Sequence, residues 1–60
     1  MSPKELQYVE DALGHEKQMQ EACGSFASQL SDAELKSFVQ GLSNRCGDNY
    51  TKLYSLLINA

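Results

Sequence analysis

Sixty residues, 42% hydrophobic and 22% charged, make at most one small domain, and a chain of this size buries too little apolar surface to be comfortably stable alone. The net charge is −3, and Lys4, Lys17, Lys36, Arg45 and Lys52 are scattered, which argues against the concentrated basic face of a nucleic-acid binder. Cys23 and Cys46 are too few for a disulfide framework, so oligomerisation is the expected supplement to the core.

The opening residues Met1 to Lys4 hold no basic segment followed by an apolar run, so no secretory signal is expected and the protein is read as intracellular and soluble. The longest apolar stretches, such as Leu56 to Ile58, fall far short of the roughly 20 residues needed to span a bilayer. No membrane span is expected.

In chain order, Ser2 as cap, Pro3 at the first helical position and Glu5 three residues after the cap predict a helix start. Ser31 with Glu34 repeats the capping box and marks a second start. The predicted fold is all-α: an antiparallel hairpin with a helix over about 3–30, a turn at about 31–32 and a helix over about 33–58. A rival reading breaks the second helix near Gly47, with Asp48 or Asn49 capping a third. The two-helix reading is preferred because the apolar seam crosses Gly47 without losing phase.

That seam alternates steps of four and three. In the first segment it runs Glu5, Val9, Ala12, Glu16, Met19, Cys23, Phe26 and Leu30; in the second, Leu35, Val39, Leu42, Cys46, Asn49, Leu53, Leu56 and Ala60. Folding at Ser31 and Asp32 pairs Leu30 with Leu35, Phe26 with Val39, Cys23 with Leu42 and Met19 with Cys46. Farther along, Glu16 meets Asn49, Ala12 meets Leu53 and Val9 meets Leu56. The two polar intruders thus share a layer. Leu6, Leu13, Ala27, Phe38, Tyr50, Tyr54 and Leu57 widen the stripe beyond the intrachain contact and ask for another surface. Two hairpins forming a homodimeric four-helix bundle supply it.

Candidate chemistry is sparse. Carboxylate-bridged metal sites in four-helix bundles combine an inward Glu on two helices with Glu-x-x-His pairs on the others. Glu16 matches the first part, but the second helix offers Cys46 and Asn49 in place of the Glu and His. Glu16 and Cys46, with His15 beside the seam, are therefore weak metal candidates, and no cofactor is expected. The plainer reading makes Glu16 and Asn49 a register-setting polar layer, with His15 on the rim and both cysteines as buried free thiols. A lone histidine gives no basis for hydrolytic or acid-base catalysis.

The run KELQYVEDALGHE from Lys4 to Glu16, then Cys23, Ala33 to Leu35 and the stretch Leu42 to Leu53, resembles the small spore coat proteins of the coat-F type from spore-forming Firmicutes, especially clostridial relatives. The resemblance covers nearly the whole chain. It implies half of a ferritin-like bundle: a helical hairpin that dimerises and has a structural, non-enzymatic role in sporulation. Its partners would be itself and other spore coat proteins, and its place the cytoplasm of the sporulating cell and then the coat. That family commonly carries His in the stretch corresponding to Cys46 and Gly47, so Cys46 departs from the pattern and weakens a metal role. The alternatives are a metal-binding ferritin-like half-bundle and a general helical interaction module.

Overall fold

The computed structural model describes residues 1–59, which form two helices, α1 (Pro3–Gln29) and α2 (Ala33–Ile58), and no strand among the described residues. Both starts are local chemistry. At α1 the Glu5 amide donates to Ser2 Oγ (3.1 Å) and the Ser2 amide donates to the Glu5 carboxylate (2.9 Å), closing a reciprocal capping box. Hydrogen bonding from the Ser2 backbone amide, and secondarily from the Ser2 side chain, holds the Glu5 carboxyl below the usual carboxylate range. The cap therefore contributes fully above the ordinary carboxylate pKa and weakens as pH falls through the lowered one.

The second start differs from expectation by one residue. Asp32, not Ser31, is the cap of α2, its Oδ1 accepting from the Leu35 amide at 2.8 Å. An ionised carboxylate also complements the positive end of the helix. α1 ends where Leu30 turns extended (φ −84°, ψ 139°), and three residues then suffice to reverse the chain. α2 continues through Gly47 without interruption.

The two helices pack along their length into a rod of 45 × 15 × 10 Å. Their line of contact is built from small side chains. Ser43 Oγ donates to the Gln20 carbonyl oxygen across the pair at 2.9 Å, a bond that requires the backbones to approach closely. A Cβ on Gly24 would stand 3.6 Å from Ser43 Oγ, and one on Gly47 would meet the side-chain nitrogen Nε2 of Gln20 at 2.8 Å. Ala27, only 1% exposed, completes this strip with Leu13 and Cys23.

This changes the expected intrachain pairing. Val9, Glu16 and Cys23 of α1, Leu30 just beyond its end, and Val39, Cys46 and Leu53 of α2 are at least half-buried. Met19, Phe26, Leu35 and Leu56, predicted to alternate with them, are exposed. Their places between the helices are taken by Leu13, Gln20 and Ala27 on α1 and by Ser43, Tyr50 and Leu57 on α2. The physical reason is rotation: the helices approach most closely along the line that carries Gly24, Ala27 and Ser43, where Ser43 reaches the Gln20 carbonyl, and that phase turns Met19 and Phe26 outward. Ala12 and Leu42 sit half-buried at the edge of the strip, and Ala60, the last rung of the predicted ladder, lies outside the described residues.

Candidate functional site

Helical geometry places the displaced residues together. At about 100° per residue, Tyr8, Ala12, Met19 and Phe26 form a line on α1 roughly a quarter-turn from the contact strip. On α2, Leu35, Phe38, Leu42, Asn49 and Leu56 form a line offset by a similar angle in the same numerical sense. Because the helices are antiparallel, these two offsets point to one side of the hairpin. Among the described residues these lines form one broad apolar face, and Phe38 (64% exposed) and Leu56 (65%) stand well out from it.

The opposite side differs in character. It carries Glu10, Lys17, Ser28, Lys36, Gln40 and Thr51, with Leu6, Tyr54 and Ile58 as its larger apolar residues. Tyr54 is partly occupied there by stacking on Tyr50, with ring centroids 6.3 Å apart. One face is thus apolar along the whole rod and the other mainly solvated.

Glu16 and Cys46 lie at the boundary between the contact strip and the apolar face. The structure brings these two together, with Cys23 nearby, and both cysteines are free. Desolvation pushes the Cys46 thiol up, and the Glu16 carboxylate adds to this through its charge and as an acceptor for the thiol proton. Asn49, expected as the partner of Glu16, is exposed instead. Glu16 is half-buried, and the group beside it is a thiol one turn earlier on α2. His15 is exposed on the outer flank of α1, apart from this pair. Among the described residues no three His, Cys, Asp or Glu side chains converge to hold a metal ion.

With its pKa raised, Cys46 is a protonated thiol at neutral pH. Since its folded-state pKa is raised, its contribution to stability is intact below the ordinary thiol range and is lost as pH rises through the raised value. Replacing Glu16 by Gln removes a negative charge beside the thiol, so Cys46 should alkylate faster, by about 2- to 5-fold at pH 8. Iodoacetamide kinetics followed by peptide mass spectrometry measure this, and an unchanged or slower rate would contradict the assigned contact.

No helix among the described residues is long and apolar enough to cross a membrane. Compared with protein-family models, curated proteins and solved structures, the chain matches none.

Proposed function

We propose that the protein is a structural, non-enzymatic building unit that pairs with a second copy through its apolar face to form a four-helix bundle, and that it serves in or beneath a spore coat. The observation that carries the assembly reading is the uncovered face itself. Tyr8, Met19, Phe26, Leu35, Phe38 and Leu56 are all exposed in a single hairpin in which no large side chain among the described residues is fully buried. A lone hairpin thus lacks the core that ordinary folding stability requires, and its largest apolar side chains lie where a second layer would cover them. The residues read from the sequence as an assembly seam, from Val9 to Leu56, divide between the contact strip and this face, so their mean direction falls between the two. In a four-helix bundle that direction points to the centre.

The coat role rests on the resemblance of the Lys4 to Glu16 run and the Leu42 to Leu53 stretch to coat-F-type proteins, and the two halves of the proposal are tested separately. Sedimentation equilibrium from 1 to 100 μM should show a reversible dimer; a folded monomer throughout that range would refute the assembly reading. In a spore-forming host, the protein should be found in the coat extract of mature spores. Detection only in vegetative cytoplasm would refute the coat reading while leaving the dimer intact.

A further inference from the structure

The apolar line on α2 has one exception. Leu35, Leu42, Asn49 and Leu56 follow one another at seven-residue steps, so a carboxamide stands where the spacing otherwise places leucine. Asn49 is exposed, and the side-chain hydrogen bonds nearest it on α2, Gln40 to Asn44 and Thr51 to the Gly47 carbonyl, do not involve it. The charged residues around it, Arg45, Asp48 and Lys52, stand off the line toward the outer edge of α2. Its height follows from contacts within the hairpin: Ser43 lies opposite Gln20 and Gly24, and Gly47 opposite Gln20. These pairs set Asn49 level, to within about one turn, with Glu16, the middle residue of α1.

A second copy can stack on this face with its turn at the same end or at the opposite end, and the consequence for Asn49 is common to both. The rod's outline of 45 × 15 Å is on the order of 700 Å², close to the roughly 800 Å² that a stable dimer takes from each partner. Nearly complete overlap is therefore needed, and it encloses a mid-rod residue whichever way the partner runs. In each arrangement one register sets Asn49 level with a polar group of the other copy: the partner's Glu16 with turns at the same end, the partner's Asn49 with turns at opposite ends. A slip of seven residues, about 10 Å, sets leucine rungs on apolar positions again, because Ala12, Met19 and Phe26 repeat at the same interval. That slip carries Asn49 level with Val9 or Cys23 in the first case and with Leu42 or Leu56 in the second, where its carboxamide is desolvated without a partner. It also leaves about 10 Å of apolar face uncovered at an end, open to further copies.

We infer that Asn49 sets the register of the paired copies and limits the assembly to two, acting between chains rather than within one. The inference rests on the homodimer proposed above and deepens it: the apolar side chains supply affinity, and Asn49 supplies stoichiometry at some cost in affinity.

Sedimentation of the full chain, with helicity confirmed by circular dichroism, separates the outcomes. Asn49→Leu should tighten association by at least about 10-fold and, with the register released, add tetramers and larger species that the unmodified chain lacks. Asn44→Leu, on the far side of α2, makes the same change in helix propensity and should leave Kd within about twofold. Asn49→Asp keeps the shape but brings a charge into the middle of the interface, and should weaken the dimer by at least about 10-fold at neutral pH. An Asn49→Leu variant that remains a discrete dimer overturns the stoichiometric role. Unchanged Kd in both Asn49 variants overturns the residue's place in the interface. Either result leaves the homodimer standing, whereas a monomeric unmodified chain overturns the homodimer and the inference with it.

Discussion

Phe38→Lys is expected to leave the protein monomeric at concentrations where the unmodified chain is a dimer, with Kd raised at least about 100-fold. Phe38 is 64% exposed in the single hairpin, so its side chain contributes little to the fold and most of its apolar area is available to a partner. Full burial of such a ring is worth about 1.5–3 kcal/mol, and two-fold symmetry counts it twice. Lysine forfeits that burial and brings an ammonium into the dry part of the interface, although its flexible stem lets the charge reach toward water and caps the penalty. A net loss of about 3 kcal/mol or more corresponds to the 100-fold lower bound. Lysine is also a good helix former, so α2 itself should survive. The control is Gln40→Lys on the far side of α2, which should leave Kd within about twofold. If both variants dimerise like the unmodified chain, the apolar face is not the interface.

The hairpin was legible in the sequence because its signals are local. Ser2, Pro3 and Glu5 specify the start of α1 by hydrogen bonds that span three residues, and the same chemistry at Asp32 specifies α2. Even the single-residue shift from Ser31 to Asp32 is a local competition between two adjacent capping side chains. Phase was harder. Large apolar residues mark where a helix has most surface to bury in total, and that direction averages over every neighbour it has. The pattern therefore points Met19, Phe26, Leu35 and Leu56 toward the intrachain contact, although the other hairpin helix does not cover them. The residues that define the closest approach are Gly24, Ala27, Ser43 and Gly47, which have little or no apolar side chain to register in a hydropathy pattern.

The same distinction explains the polar layer. Sequence spacing placed Glu16 opposite Asn49 because both interrupt an apolar ladder. In three dimensions the helices are rotated enough about their axes to expose Asn49 and bring Cys46 to the carboxylate. A thiol counts as apolar in a periodicity analysis, so nothing in the pattern marked Cys46 as the neighbour of a charge. His15, one residue from Glu16, points elsewhere for the opposite reason: one step along a helix is about 100° around it.

Ala27→Leu should destabilise the hairpin by about 1–3 kcal/mol, against a total of only about 3–9 kcal/mol expected for a domain of this length. Ala27 is 1% exposed and belongs to the strip where Ser43 bonds directly to the Gln20 backbone, so three added carbons have no space without forcing the helices apart. Separation would also lengthen that hydrogen bond and leave the part-buried Ser43 hydroxyl unsatisfied. A fall in Tm of roughly 4–8 °C per kcal/mol should follow at fixed protein concentration, measured by circular dichroism. Gly24→Ala in the same strip is the internal contrast: its new Cβ meets Ser43 Oγ at an ordinary 3.6 Å, and removing a helical glycine contributes up to about 1 kcal/mol of stability. These two small-residue substitutions should therefore move Tm in opposite directions. Were Ala27→Leu neutral or stabilising while Phe26→Ala in dilute monomer cost more than about 2 kcal/mol, the helices would meet on the line drawn by their large residues, as the sequence pattern first suggested.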